Sequence, residues 1–186
     1  MTDNLSTSIC DEYGITYPVF GFAHSINATI AITNAGGFGV FGGTRSTPEE
    51  IEQAMATIRA AVGDKTFGID LVMPPGMPDQ DNRDAIEAEI PDRHRQFVSD
   101  IIDKYQVPAG TKPGMRSRFV RSNEMLDQQL EAVMQSDVNL FACGIGAPPR
   151  AVDQAKARGK KTCALVGRPP HMQKLLQTGI DLVVDQ

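Results

Sequence analysis

The chain has 186 residues, of which 41% are hydrophobic and 22% are charged, with a formal net charge of -5 and a pI of about 5.2. This length is sufficient for one domain with a sizeable core. The acidic balance excludes the basic footprint of a nucleic-acid-binding protein. No apolar run in the sequence approaches the ~20 residues that cross a bilayer.

Three widely spaced cysteines, Cys10, Cys143 and Cys163, predict free thiols in a reducing compartment, because their odd number and spacing suit neither a disulfide framework nor a zinc site. The first residues lack the basic and apolar segments of a secretory signal. We therefore expect a cytoplasmic protein that associates with neither nucleic acid nor membranes.

Short apolar segments alternate with helical patterns along the chain. Strands are predicted at residues 18–23, 38–41, 67–72, 138–142, 162–166 and 181–185. The clearest helix begins at Thr47, where Pro48 takes the first helical position and Glu50 completes a capping box, and it ends at Gly63. Further helices are predicted at residues 27–35, 92–105, around 126–134, 149–158 and 170–178.

Six β-strands separated by helices imply an α/β protein with a parallel sheet and right-handed crossovers. Two architectures fit this pattern. A doubly wound open sheet would be complete at this length, whereas a (β/α)8 barrel of the TIM type needs ~250 residues and two more β/α units. Periodicity alone favours the doubly wound sheet, because that fold leaves nothing unfinished.

Residues 74–122 form a long, polar, proline-bearing stretch that interrupts the alternation. Segments of this length are usually lids, binding loops or insertions, so we predict an insertion or lid within a single domain that spans residues 1–186. The stretch carries a basic run of Lys112, Arg116, Arg118 and Arg121. A solvated loop is the favoured interpretation of that run over a phosphate clamp.

Residues 37–42 match the dinucleotide fingerprint G-x-G-x-x-G. The fingerprint requires a strand before it and a helix after it, so that the helix N-terminus meets the pyrophosphate. Here a predicted helix precedes the glycines, which straddle a predicted strand. We therefore interpret the match as coincidental.

Two side chains near strand ends are candidates for ligand contact. His24 follows the first strand, at the end where ligands bind in parallel sheets. Asp70 interrupts an apolar strand, and a carboxylate there either faces a ligand or is paired in the core. His94 and His171 are expected at the surface, the latter with a capping alternative.

Four blocks of sequence together resemble the start of the nitronate monooxygenase family, also called 2-nitropropane dioxygenase. They are residues 17–24 (YPVFGFAH), 32–39 (ITNAGGFG), 46–50 (STPEE) and 67–71 (FGIDL). Residues 179–186 (GIDLVVDQ) resemble the sixth strand of that family. The resemblance covers most of the chain outside residues 74–122.

This resemblance implies an FMN-dependent (β/α)8 barrel of which about six units are present. It implies oxidation of alkyl nitronates, or nitroalkanes, by O2. The positions that contact the flavin in the family correspond to Phe22, Ala23, His24, Asp70 and Gln186. Family members usually carry A-P-M or G-G-M in place of residues 22–24 and an Asn in place of Asp70, so the side-chain contacts would differ here.

The catalytic His of the family lies just beyond the position of Gln186, as do its glycine-rich phosphate-binding loops. The resemblance therefore implies that the chain holds the first six units of a barrel, is inactive by itself, and exposes sheet edges that invite self-association. Two alternatives remain: an FMN-dependent enoyl reductase of the same superfamily, and a non-catalytic α/β binding module.

Overall fold

The structure is a computed structural model that describes residues 5–111, 121–144 and 146–185. The chain divides into two compact units. The first comprises residues 1–75 and 127–186, and the second comprises residues 76–126.

The first unit is built on one parallel sheet whose strands follow each other in sequence order. These strands are β1 (Phe20–Ala23), β2 (Phe38–Gly42), β3 (Phe67–Val72), β4 (Leu140–Gly144), β5 (Lys161–Val166) and β6 (Leu182–Asp185). A doubly wound sheet reverses its strand order at a switch point, and the described strands contain no such reversal. The alternative of a doubly wound sheet is therefore wrong, and the strand order is that of a TIM-type barrel.

Helices connect the strands, as the alternating pattern predicts. They are α1 (Ser8–Tyr13), α2 (Ile26–Asn34), α3 (Pro48–Val62), α4 (Arg83–Ala88), α5 (Asp92–Tyr105), α6 (Asn123–Gln135), α7 (Pro149–Ala157) and α8 (Pro169–Leu176). Among the described residues, none of these helices has the length and apolarity that a bilayer crossing requires.

Helix α3 shows how local sequence fixes an element. The Glu50 N–H donates to the Thr47 hydroxyl over 3.3 Å, and the Thr47 N–H donates to Glu50 over 3.0 Å, which completes the predicted capping box. Gly63 ends the helix at a φ of 64°, a conformation that favours glycine. An apolar stripe from Ile51 to Val62 is buried along one side of the helix.

Side chains alternate between the two faces of the sheet, and glycines allow close packing on the outer face. A Cβ on Gly39 would lie 2.5 Å from both the Thr29 carbonyl oxygen and the Thr33 hydroxyl of α2. Helix α2 therefore packs against the backbone of β2 at a distance that a larger residue would prevent. This contact also explains why residues 37–42 are rich in glycine without forming a dinucleotide fingerprint.

The inner face of the sheet is closed at the amino ends of the strands by α1. Tyr13 of α1 lies edge-on to Phe20 of β1, with ring centroids 5.2 Å apart, and to Phe38 of β2, at 5.9 Å. The Thr66 hydroxyl, just before β3, donates to the Tyr13 carbonyl over 2.6 Å. Because this end is filled by aromatic side chains, a ligand is expected at the opposite, carboxyl ends of the strands.

The second unit contains α4 and α5, and neither helix has a buried residue. The predicted helix at residues 92–105 is confirmed as α5. Its apolar side chains are exposed, including Phe97 at 64% and Tyr105 at 64%.

Some details of the sequence-based assignment differ from the structure. Strand β1 begins at Phe20 rather than at residue 18, because Pro18 has no N–H and the Val19 N–H donates to the Tyr17 carbonyl in a turn. Strand β4 begins and ends two residues later than predicted, because it extends beside Val72 of β3 as far as Gly144. Helices α1 and α4 were not predicted, since six-residue helices carry too little periodicity.

Candidate functional site

The parallel register brings the ends of three strands together on the inner face. Phe22 of β1 pairs with Val40 of β2, and Gly42 of β2 pairs with Asp70 of β3. Asp70 pairs in turn with Ala142 of β4. Side chains two residues apart along one strand share a face, so Phe22 and Asp70 lie on the same face of the sheet.

A cavity of about 990 Å³ lies over this face in the first unit. Much of its lining is apolar, including Val40, Val72, Leu140, Ala142, Leu165 and Val184. Phe22 and Asp70 also line it, together with His171 and Lys174 of α8. An apolar cavity with a few polar groups, at the carboxyl ends of parallel strands, is the usual form of a small-molecule site.

Asp70 is a buried carboxyl group, with 6% of its surface exposed. Its Oδ1 atom is buried and has no hydrogen-bond partner among the residues that the structure describes. Burial raises the pKa of Asp70 to about 6, while His24 and the Gly144 N–H act in the opposite direction. A buried polar atom without a partner is uncommon in folded proteins, so Asp70 is suited to meet a ligand.

His24 lies at the rim beside Asp70. Its imidazole is exposed and packs edge-on against Phe22, with ring centroids 4.9 Å apart and an angle of 83° between the planes. Gly42 makes room for both rings, because a Cβ there would lie 2.8 Å from His24 Nδ1 and 2.7 Å from Phe22 Cζ. The absence of a side chain at residue 42 therefore lets His24 lie over the strand next to Asp70.

The five residues that correspond to flavin contacts differ in their position relative to the cavity. Phe22 and Asp70 line the cavity, and Phe22 is 55% exposed. His24 lies at the rim and is not part of the cavity lining. Ala23 alternates to the other face of β1, which leaves its backbone as the group that a ligand at the strand end would meet. Gln186 lies outside the described residues.

Two basic residues of the cavity wall were not predicted as site residues. His171 and Lys174 lie one helical turn apart on α8, and both line the cavity. The signal available in the sequence was their position, because α8 directly follows β5 and therefore starts at the carboxyl edge of the sheet. His171 is exposed, as expected. That it lines the cavity could not be predicted, because this depends on how α8 packs against the sheet. Of the basic run, Lys112, Arg116 and Arg118 lie outside the described residues.

The three cysteines are free, as predicted, and all three are buried. Cys163 lines the cavity, where burial, followed by the nearby Asp70, raises the pKa of its thiol to about 12. Burial also raises the pKa of Cys143, with Asp70 again the next cause. Both groups are therefore thiols at neutral pH and poor nucleophiles. No group of three or more potential metal ligands occurs among the described residues.

A flavin ring system fits the residues that are present. The cavity volume is at the upper end of the ~300–1,000 Å³ that is usual for small-molecule sites. Its apolar walls suit a flat aromatic ring, and the Oδ1 atom of Asp70, which has no partner among the described residues, suits the polar edge of such a ring. Phe22 adds an exposed aromatic face at the same edge of the sheet.

The fold and the cavity define a barrel-type α/β protein with a candidate small-molecule site at the carboxyl ends of its strands. The model of the nitronate monooxygenase family matches residues 5–186. The chain belongs to the nitronate monooxygenase family.

One relative is the protein named "Putative monooxygenase Rv1533" from Mycobacterium tuberculosis, which is 30% identical over 190 residues. This alignment covers 98% of the chain and 51% of that protein. The chain therefore spans about half the length of the curated relative that it matches.

Solved structures share the fold. Nitroalkane oxidase from Streptomyces ansochromogenes aligns with a TM-score of 0.69 and 18% identity, over 97% of this chain and 48% of that one. FabK from Thermotoga maritima aligns with a TM-score of 0.64 and 17% identity, over 98% of this chain and 44% of that one. Each covers the six-stranded sheet, so the strand order is that of part of a TIM-type barrel.

Proposed function

We propose that this chain supplies flavin-binding and substrate-binding residues of an FMN-dependent oxidoreductase that oxidises alkyl nitronates with O2. Membership of the nitronate monooxygenase family supports the reaction class. The observation that carries the proposal is the buried Oδ1 atom of Asp70, which has no hydrogen-bond partner among the described residues, in the wall of a large apolar cavity. Because the chain spans about half of its relative, the activity of that family is put forward here as a proposal.

Phe22 and Asp70 are the proposed flavin contacts of the described chain. The Phe22 ring would pack against the flavin, and the Asp70 carboxyl would bind its polar edge. With a pKa of about 6, Asp70 accepts a hydrogen bond at neutral pH and donates one in more acidic solution. When bound, the flavin accepts electrons from the substrate, and the protein supplies position and electrostatics.

The remaining cavity residues suit an anionic organic substrate. Val40, Val72 and Leu165 make the cavity wall above the sheet apolar, and an apolar environment strengthens electrostatic interactions with a bound ligand. Lys174 provides a cation in the same wall, and an alkyl nitronate carries a negative charge. Lys174 would therefore attract and orient the nitronate, whose alkyl group would face the apolar lining.

The test is to load the full-length protein with FMN and to measure O2 consumption with preformed ethyl nitronate. Asp70→Ala should weaken FMN binding at least about tenfold, since a hydrogen bond that involves a charged group is lost. Asp153→Ala, at an exposed position on α7, is the matched control and should bind FMN like the wild type.

The same preparation distinguishes the alternatives. Consumption of a reduced pyridine nucleotide with an enoyl substrate, without nitronate oxidation, would identify the enoyl reductase instead. A folded protein that binds no FMN would favour the non-catalytic binding module. Either result would overturn the proposed function.

A further inference from the structure

Asp70 has fewer hydrogen-bond donors around it than an ionised carboxylate needs. The Gly144 N–H is its one donor among the described residues, and Oδ1 has no partner there. A Cβ on Gly144 would lie 3.6 Å from Oδ1 and 3.8 Å from Oδ2, so this backbone segment lies directly against the carboxyl. An ionised carboxylate offers about four acceptor positions, and leaving most of them unfilled in a buried place costs free energy. The donor set therefore favours a neutral Asp70.

The neighbours of Asp70 in the sheet are apolar, and its open side faces the cavity. On one side Asp70 pairs with Ala142 of β4, which carries only a methyl group. On the other side it pairs with Gly42 of β2, over which the Phe22 ring lies. Val72, two residues further along β3, shares its face and also lines the cavity. A flat ring in this cavity would therefore meet the carboxyl and cover its remaining opening to water.

The titratable groups of the sheet give Asp70 little support as an anion. His24, which follows β1, lowers the pKa of the carboxyl, but its imidazole is exposed and therefore screened by solvent. The thiols of Cys143 in β4 and Cys163 in β5 are uncharged at neutral pH, because burial raises the pKa of both. Burial is the largest influence on Asp70, and it raises the pKa to about 6 in the chain without flavin.

A bound flavin would strengthen the preference for the neutral form. The ring would exclude water from a carboxyl that is already only 6% exposed, and its carbonyl oxygens are acceptors that require a donor. Because the flavin accepts electrons from the substrate, a negative charge beside the ring would oppose its reduction. His171 and Lys174 line the same cavity from α8, and no ion pair links either of them to Asp70 among the residues that the structure describes.

We propose that Asp70 takes up a proton when FMN binds, so that the neutral carboxyl donates a hydrogen bond to a carbonyl oxygen of the ring. The proton comes from the solvent, an O–H bond forms on the carboxyl, and no electron is transferred. The inference rests on the proposed function, because it takes FMN as the ligand of the cavity. It adds that the affinity for the cofactor depends on pH.

The direction of this dependence follows from linkage. Asp70 of the free chain loses its proton as the pH rises through about 6. The affinity for FMN that depends on Asp70 should therefore be constant below that pH and fall by up to about tenfold for each pH unit above it.

The test is a fluorescence titration of FMN between about pH 5 and pH 8 with the wild type and with Asp70→Asn, which keeps the shape and a donor but cannot ionise. The phosphate of FMN also titrates near pH 6, but it contributes equally to both proteins. The Kd of the wild type relative to that of Asp70→Asn should rise at least about tenfold across this range. Asp153→Asn, at an exposed position on α7, is the control and should follow the wild type.

Two further readouts separate protonation from a structural effect of the substitution. Calorimetry in two buffers of different ionisation enthalpy counts the protons that accompany binding. At about pH 7 the wild type should take up about one proton more than Asp70→Asn does. The infrared difference spectrum of FMN binding should contain a protonated carboxyl band in the wild type that is absent from the variant.

A ratio of the two Kd values that does not change with pH, with equal proton uptake by the two proteins, would overturn the inference. A wild type that gains affinity relative to Asp70→Asn as the pH rises would also overturn it, and would assign an ionised Asp70 to the N–H group of the ring. In either case, oxidation of ethyl nitronate by the wild type would leave the proposed function standing. Proton uptake on Asp70 without nitronate oxidation has the opposite meaning.

Discussion

Asp70 stabilises the fold less when it is ionised than when it is neutral. Its pKa rises from 3.8 to about 6 on folding, so the folded chain binds a proton more tightly than the unfolded chain does. The contribution of protonated Asp70 to the unfolding free energy is complete below pH 3.8 and is lost as the pH rises through about 6. The difference corresponds to about 3 kcal/mol of unfolding free energy.

Asp70→Asn should therefore raise the unfolding free energy relative to the wild type by up to about 3 kcal/mol at pH 8, and by close to zero at pH 4. Urea denaturation of both proteins across this pH range measures the difference. Asp153→Asn serves as the exposed control. A difference between wild type and Asp70→Asn that does not change with pH would show that burial does not perturb this carboxyl.

Residue properties of this kind were only partly predictable from the sequence. The position of Asp70 within an apolar strand identified it as a candidate, but its burial and the lack of a partner for Oδ1 among the described residues depend on how the neighbouring strands pack. His24 was recognised from its place after β1. Its proximity to Asp70 depends on the register of three strands and on the lack of a Cβ at Gly42.

Strand β2 provides a matched pair of substitutions on opposite faces of one element. Gly39→Ala places a methyl group 2.5 Å from the backbone carbonyl of Thr29, so the helix α2 must move. This overpacking should reduce the unfolding free energy by about 1–3 kcal/mol. Gly42→Ala meets only the ends of the exposed Phe22 and His24 rings, and should cost less than about 1 kcal/mol.

The two variants should differ in FMN binding in the opposite order to their stability losses. Gly42→Ala displaces the ring of Phe22, a proposed flavin contact, so it should weaken FMN binding although the fold is nearly intact. Gly39→Ala lies on the outer face and should retain FMN binding at temperatures where it remains folded. Denaturant unfolding combined with an FMN titration measures both effects, and a larger stability loss for Gly42→Ala would contradict the packing argument.

Helix α1 closes the inner face through the ring of Tyr13. Tyr13→Ala removes the edge contacts with Phe20 and Phe38 and should reduce the unfolding free energy by about 3–5 kcal/mol. Tyr13→Phe keeps the ring and removes a buried hydroxyl that has no partner among the described residues, so its effect should stay within about 1 kcal/mol. Equal losses of unfolding free energy in the two variants, measured by urea denaturation, would show that the hydroxyl rather than the ring stabilises the fold.

The elements that were predicted well carry their own boundary signals. Helix α3 has a capping box and a terminal glycine, and β3 is an apolar segment, interrupted by Asp70, that ends shortly before two prolines, so both were predicted to the residue. Helix α1 has six residues, and its stability depends on the burial of Tyr13 against residues that follow it in the chain. No local pattern indicates that contact, and the helix was therefore missed.

At the scale of the whole molecule, the two units should differ in local stability. Helices α4 and α5 bury no residue, whereas the apolar stripe of α3 is buried. Amide hydrogen exchange should therefore be much faster in α5 than in α3, because a helix without buried contacts opens locally. Native-state exchange followed by mass spectrometry measures this, and equal protection of the two helices would contradict it.

The spacing of the strands along the chain has a consequence for the order of folding. Four of the five neighbouring strand pairs are joined by short connections, whereas β3 and β4 are separated by residues 73–139. Closing a loop about three times longer costs about 1 kcal/mol more in chain entropy. We expect β1–β3 and β4–β6 to form first as two halves, with their docking as the late step. Asp70 and Gly144 lie on opposite sides of that junction, so the environment of the site is completed only when the halves meet.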